Sequence, residues 1–204
     1  MERELRRAGI PLVSLESWRP LDEFDLVGFT LQYELTFTNL LNMLDLAGIP
    51  LSARERRQSG RRLPLVIAGG PCAFNPEPLA PFVDLFVIGD GEEVLNELLD
   101  LLLRVKSRGD ASVEAAPGAG ATSRASTKGC PPAGEDDGRA ALSRRQRAEF
   151  LEAASGITGV YVPLLFRPGE RVVKRVVKQL DAARFPINPV VPCLAAVHDR
   201  AVLE

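Results

Sequence analysis

Two short apolar runs, each ending in a glycine turn, constrain the fold of this chain more than any other feature. Residues 65–68 (LVIA) and 85–88 (LFVI) are rich in β-branched or aromatic side chains and are bounded by turn residues. Each run therefore predicts a short strand that is buried on both faces, and we expect the two to be parallel neighbours. Open parallel sheets bind ligands outside the carboxyl ends of their strands. The turns at those ends are Gly69-Gly70-Pro71 and Gly89-Asp90-Gly91.

The rest of the chain alternates strand and helix patterns. Residues 24–31 (FDLVGFTL) predict another buried strand, and a shorter one is expected at 12–15. Apolar residues at helical spacing predict helices over residues 37–47, 92–106 and 143–154, and a further helix is expected at residues 2–8. This alternation indicates an α/β fold with a doubly wound parallel sheet.

The domain organisation follows from shifts in composition. Residues 1–106 form the α/β domain, and residues 107–139, which hold almost nothing apolar larger than alanine, predict a disordered insertion. Residues 140–180 complete the domain with a helix and a small C-terminal β-hairpin, made of the runs at 159–166 and 171–177. Residues 181–204 are proline-rich and predict an extended connector.

Charge and cysteine usage exclude several functional classes. The formal net charge is -2, so the whole chain gives no electrostatic reason to expect nucleic acid or an anionic membrane as a partner. Residues 52–62 are basic and predict a solvated loop, with phosphate binding as the alternative. The three cysteines are too far apart for a paired metal-ligand motif and odd in number, which favours a reducing, cytoplasmic compartment. No run approaches the roughly 20 apolar residues of a membrane span.

Polar side chains accompany the ends of the predicted strands. Gln32 and Glu34 follow the strand at 24–31 and are expected on the ligand side of the sheet. Gly69 and Gly70 can let a backbone approach a ligand, or can form a tight turn that requires positive φ, and both interpretations stay open.

The second glycine turn carries acidic groups at the start of a predicted helix. Because Asp90, Glu92 and Glu93 occupy the positive end of that helix, a highly charged phosphate is disfavoured there. Carboxylates suit a ligand with many N–H or O–H donors, and helix capping by Asp90 and Glu93 is the alternative explanation.

Catalytic patterns are sparse. His198, the chain's one histidine, lies in the tail, so neither a two-histidine metal site nor a Ser-His-Asp triad can be assembled on the sheet. Cys72 is either a reactive thiol or a small apolar turn residue. We assign no catalytic and no metal-binding residue.

Four segments of the chain form a recognisable set: DLVGFTLQYELTFTNLLNMLDLAGIPL, PLVIAGGPCAFNPEPLAPFVDLFVIGDGEEVLNELLD, GVYVP and VVPCLAAVHDRAVLE. Together they resemble the N-terminal region of a family of bacterial radical SAM proteins, whose amino-terminal domain is similar to cobalamin-binding domains. The resemblance implies a flavodoxin-like domain followed in cis by a barrel-like radical SAM domain. In that domain a C-x-x-x-C-x-x-C motif holds a [4Fe–4S] cluster that cleaves S-adenosylmethionine.

The resemblance also implies a cofactor site and two missing parts. Gly69 and Gly70 would line the nucleotide tail of cobalamin, and four side chains, Gln32, Glu34, Asp90 and Glu92, would meet the corrin amides. Pro71, Gly89 and Gly91 complete the expected site. The C-x-x-x-C-x-x-C motif and the cobalt-ligating D-x-H-x-x-G motif are absent from this sequence. We therefore expect a portion of a longer enzyme that lacks its first strand and its radical SAM core.

Other functions remain open at this stage. The domain could retain the fold without cobalamin and position the radical SAM partner or its substrate. It could instead be a non-enzymatic scaffold, or a truncated gene product with no independent activity. A flavodoxin-like nucleotide or flavin binder is a further alternative that rests on the fold alone.

Overall fold

A four-stranded sheet forms the centre of the computed structural model, which describes residues 2–110, 142–167 and 169–179. Its strands are β1 (Leu26–Thr30), β2 (Leu65–Gly69), β3 (Leu85–Val87) and β4 (Val160–Tyr161). The strand order is β1-β2-β3-β4, with the first three parallel and β4 antiparallel to β3. The strands expected at 24–31, 65–68 and 85–88 are therefore confirmed.

Helices cover both faces of this sheet. They are α1 (Glu2–Ala8), α2 (Phe37–Leu46), α3 (Ala53–Gln58), α4 (Gly91–Asp110) and α5 (Arg144–Ser155). One core joins α2 to Val66, Ala68 and Phe86, and the other joins α4 and α5 to Leu65, Ile67 and Leu85. Successive strand residues thus enter opposite cores, which explains why the strands read as continuous apolar runs. The α/β doubly wound, flavodoxin-like fold is confirmed.

The ends of the long helices follow local signals. Helix α5 begins with a capping box in which Ser143 and Gln146 bond each other's backbone amides. Helix α4 continues four residues past the expected end at 106, to Asp110. Most of the predicted insertion at 107–139 and all of the predicted connector at 181–204 lie outside the described residues, together with Cys130, Cys193 and His198. None of the helices in the described ranges is long and apolar enough to cross a membrane.

The strand expected at residues 12–15 does not join the sheet. Val13 forms an isolated antiparallel bridge with Pro20, and the Leu12 amide bonds the Leu46 carbonyl at the end of α2. The reason is that a four-residue apolar run carries no information about its partner, and here the local turn and α2 satisfy its backbone.

One edge of β1 is consequently open. The Asp25 carbonyl and the Leu31 amide bond β2, so the alternating backbone groups of Leu26, Gly28 and Thr30 face the other way. Within the described ranges no strand pairs with that edge.

The predicted C-terminal hairpin is replaced by a different arrangement. Its first run supplies β4, while its second run, residues 171–177, makes no hydrogen-bonded ladder with β4 among the described residues. Instead Arg175 forms a parallel bridge with Gly89, at the carboxyl end of β3. We call residues 171–177 the strap. Alternating valine and basic residues predict extended backbone correctly, but they do not select its partner.

The structure also corrects the prediction for the basic segment at 52–62, which is not simply a solvated loop. Ser52 caps α3 by accepting from the Arg54 amide, and Arg56 turns inward, where its side chain is fully buried. Arg56 donates to one oxygen of Asp84 (Nε 3.3 Å, Nη2 3.0 Å) and to three backbone carbonyls, of Pro50, Leu51 and Phe82. This run of basic residues therefore includes one, Arg56, whose side chain lies in the protein core.

Asp84 is the centre of this buried network, at the amino end of β3. The same Oδ2 accepts from Arg147 Nη1 of α5 at 3.4 Å and from the Val66 amide of β2 at 2.9 Å. Arg147 also bonds the carbonyls of Leu63 and Pro64. Burial lowers the pKa of the Arg147 guanidinium, and the Asp84 charge opposes that effect. One carboxylate thereby joins α3, α5, β2 and β3.

Candidate functional site

The first glycine turn lies directly against the carboxyl end of β1. The Leu31 amide donates to the Gly69 carbonyl at 2.7 Å, and the Cys72 amide donates to the Leu31 carbonyl at 3.0 Å. Gly70 has φ +97°, and a Cβ there would lie 3.0 Å from the Leu31 carbonyl oxygen. Packing against the chain's own backbone therefore explains why glycine is required at position 70.

This contact brings several predicted site residues to one place. Gln32, Glu34 and Pro71 are all exposed, and Gly69 and Gly70 are half-buried beside them. Three large apolar side chains of the same two loops are also exposed: Tyr33, Leu35 and Phe74. The carboxyl end of β1 and β2 thus presents both carboxyl or amide groups and unprotected apolar surface.

Cys72 has the properties of a turn residue rather than of a nucleophile. Burial, and to a smaller extent the charge of Glu34, raises the pKa of the Cys72 thiol above its usual value. A raised pKa keeps the thiol protonated at neutral pH, whereas reactive cysteines need the thiolate. The structure favours the small apolar interpretation of Cys72.

The second glycine turn is adjacent to the first but is covered by the strap. Gly69 and β3 are neighbours, since a Cβ at Gly69 would lie 3.6 Å from the Val87 carbonyl oxygen. At Gly89 (φ +101°) a Cβ would lie only 2.1 Å from the Arg175 carbonyl oxygen. The absence of a side chain at position 89 therefore admits the strap backbone.

The acidic groups of the second turn also bind the strap. Asp90 accepts from the Val177 amide through Oδ2 at 2.7 Å, and the Asp90 amide donates to the Arg175 carbonyl at 3.1 Å. Glu93 accepts from Arg175 at 2.6 Å instead of capping α4, so the expected reciprocal cap of Asp90 and Glu93 is not formed. Gly91 and Glu92 remain exposed.

The nine predicted site residues thus share one edge of the sheet but divide into two groups. Those of the first turn and of β1 are accessible: Gln32, Glu34, Gly69, Gly70 and Pro71. Those of the second turn are Gly89, Asp90, Gly91 and Glu92: the strap contacts Gly89 and Asp90, while Asp90, Gly91 and Glu92 are exposed. Whether either group binds cobalamin stays a prediction.

Sequence reasoning missed a polar contact close to the first turn. Tyr161 Oη of β4 donates to Glu77 Oε1 at 2.7 Å, and the Tyr161 ring packs against Phe86 and Phe166. The two partners are 84 residues apart, so no local spacing could reveal the pair. The contact fixes the loop after the first turn against β4.

We expect Tyr161 to ionise only in strong alkali. Burial, followed by the hydrogen bond to Glu77, raises the pKa of Tyr161 to about 12, compared with about 10 for a free tyrosine. Because the folded-state pKa is the higher one, Tyr161 contributes stability that is complete below about pH 10 and is lost as the pH rises through about 12. Tyrosinate absorbance of a Tyr33→Phe variant, in which Tyr161 is the remaining tyrosine, should show this midpoint. A midpoint near pH 10 would contradict the prediction.

The described part of the chain contains no group of three or more His, Cys, Asp or Glu side chains that could hold a metal ion.

Comparisons with known proteins identify relatives of the N-terminal half. A family model described as "Radical SAM proteins, N-terminal" matches residues 1–118, which is more than half of the chain. The uncharacterized protein MJ0966 of Methanocaldococcus jannaschii is 26% identical over 98 residues, which are 47% of this chain and 20% of that protein. The chain therefore matches about a fifth of that relative's length. No solved structure matches.

Proposed function

Because this chain belongs to the family of radical SAM protein N-terminal regions, we propose that it positions cobalamin for a radical SAM domain elsewhere in the full-length protein. The cofactor would lie at the carboxyl edge of the sheet. The observation that carries the proposal is the juxtaposition of two glycine turns with Gln32 and Glu34 at one edge of a flavodoxin-like sheet.

The chemistry of the edge fits the outer surface of cobalamin. Cobalamin carries amide side chains around an apolar macrocycle, so it needs both hydrogen-bonding groups and apolar contacts. Gln32 and Glu34 supply acceptors, and the exposed side chains of Tyr33, Leu35 and Phe74 supply apolar contact. Bound cobalamin would add a cobalt centre that can carry a methyl group. Because the described residues include no histidine, they would bind the cofactor without a histidine ligand to cobalt.

The iron–sulfur chemistry does not fit the described residues. A radical SAM cluster needs three cysteines close together, and Cys72 is the cysteine that the structure describes. We therefore assign the [4Fe–4S] cluster and S-adenosylmethionine to the partner domain. The proposed role of this chain is to bind cobalamin and to orient it for that domain.

A second candidate function is supported by the same exposed apolar side chains. Leu35 is 81% exposed and Phe74 is 59% exposed, although both are large and apolar. Such groups at one edge of a domain suit docking of another domain, so the chain could position the radical SAM partner without binding cobalamin.

Titration of the purified chain with hydroxocobalamin, followed by its visible spectrum, tests the first proposal. We expect saturable binding, and we expect a Gln32→Ala/Glu34→Gln variant to bind about 10-fold more weakly, because hydrogen bonds to a carboxylate are lost. Glu55→Gln is the matched control, since Glu55 is exposed on α3 and α3 lies at the opposite end of the sheet.

The outcomes separate the two candidates. Absence of a spectral change at high micromolar hydroxocobalamin would exclude the cobalamin-binding function and favour the docking function. Equal weakening by the variant and by the Glu55→Gln control would show that the bound cofactor does not contact the proposed edge.

A further inference from the structure

The strap contacts two of the nine predicted site residues, Gly89 and Asp90. The Arg175 amide donates to the Ile88 carbonyl at 2.9 Å, and the Arg175 carbonyl accepts from the Asp90 amide at 3.1 Å. The Cα of Gly159 approaches the same residue, because a Cβ there would lie 2.7 Å from Arg175 Cβ. Arg175 is thus seated between two glycines, Gly89 and Gly159. On the side of Gly89 that faces Arg175, the strap backbone fills the space that a ligand would need.

The side-chain attachment of the strap is exposed to water. Arg175 donates to Glu93 at 2.6 Å and to Glu97 at 2.7 Å, on successive turns of α4. The Arg175 side chain is 22% exposed, and both carboxylates are more than 40% exposed. Ion pairs of this kind are weak and are screened by salt. They can hold the strap in place without fixing it permanently.

Apolar burial adds little to the attachment. Val173 is 69% exposed and Val176 is 53% exposed, while Val172 is partly buried against the core. Segments with few buried apolar contacts belong to the part of a protein that opens locally at less than the free energy of global unfolding. The strap therefore combines specific backbone contacts with a low cost of release.

We propose that the strap is a releasable cover of the second glycine turn, whose departure frees Gly89 and Asp90 for a ligand. The consequence for cofactor affinity rests on the proposed function. The Val177 amide occupies Oδ2 of Asp90, so its departure frees this oxygen to accept from a corrin amide. A site that is open only part of the time binds more weakly in proportion to its open fraction.

Two measurements on the full chain test this proposal, and the first needs no ligand. Hydrogen exchange of the Asp90 and Val177 amides is compared in the wild type, in Arg175→Ala and in Glu93→Gln/Glu97→Gln. The double variant removes the helix partners and leaves the strap sequence intact. Lys174→Ala is the matched control, because Lys174 is an exposed neighbour in the same strap. We expect about 5- to 30-fold faster exchange in the first two variants only. Higher salt should speed exchange in the wild type.

The second measurement is hydroxocobalamin titration of the same proteins. Tighter binding by Arg175→Ala and by the double variant, with no change in Lys174→Ala, supports the cover. Weaker binding, or equal exchange rates in all four proteins, overturns it. If no protein binds hydroxocobalamin, the cobalamin proposal fails, and the exchange rates alone decide for or against a releasable strap.

Discussion

Replacement of Asp84 by asparagine is expected to lower the free energy of unfolding by about 3–5 kcal/mol, the cost of removing one partner from a buried ion pair. Asp84 is fully buried, and its Oδ2 accepts from Arg56, Arg147 and the Val66 amide. Asparagine keeps the size of the side chain but removes its charge, so two buried guanidiniums lose their shared counterion. Urea unfolding followed by far-ultraviolet circular dichroism measures the change.

Asp100→Asn is the matched control for that experiment. Asp100 is exposed on α4, and Arg104 donates to its backbone carbonyl rather than to its carboxylate. Surface substitutions of this kind change stability by less than about 0.5 kcal/mol. A loss below about 1 kcal/mol in Asp84→Asn would contradict the account of Asp84 as the centre of a buried charge network.

Substitution of Gly89 by alanine is expected to displace the strap and to lower the free energy of unfolding by about 3 kcal/mol. Two physical causes contribute to this loss of stability. A Cβ at position 89 would meet three backbone atoms of Arg175 at 2.1, 2.8 and 3.0 Å, and φ is +101°, where side chains are strained. Backbone atoms cannot rotate away as a flexible side chain can, so the hydrogen bonds of Arg175 with Ile88 and Asp90 must break.

Gly91→Ala provides the control, two residues further along the chain. Gly91 is the first residue of α4, and a Cβ there would meet nothing within 4 Å. Because alanine favours the helix over glycine, this variant should be neutral or more stable by up to about 1 kcal/mol. Equal effects of the two substitutions would show that the close approach of Arg175 does not determine the response.

The fold could be predicted where a pattern is local. Apolar runs ending in glycine turns located β2 and β3, and helical spacing located α2, α4 and α5 to within a few residues. The shared edge of the two glycine turns also followed from the sequence, because parallel neighbours end on the same side.

The features that could not be predicted depend on contacts between residues that are far apart in the sequence. Arg56 lies in a basic run that resembles a solvated face, and it is buried because Asp84, 28 residues later, and three carbonyls accept its donors. The strap residues resemble one strand of a hairpin, but Gly89, Glu93 and Glu97 select their position. Neither the burial of Arg56 nor the position of the strap leaves a periodic pattern in the sequence, since each depends on contacts between separate parts of the chain.

The two ends of β3 differ in how firmly they are held. At its amino end, ionic groups whose side chains are at most 4% exposed connect four elements. At its carboxyl end, half-exposed ion pairs hold a single segment. Amides near Asp84 should therefore exchange only when the whole domain unfolds, whereas those near Asp90 exchange through small local openings. The carboxyl end of the sheet can therefore rearrange around a cofactor or a partner domain, while the buried ion pairs at the amino end keep the strands in register.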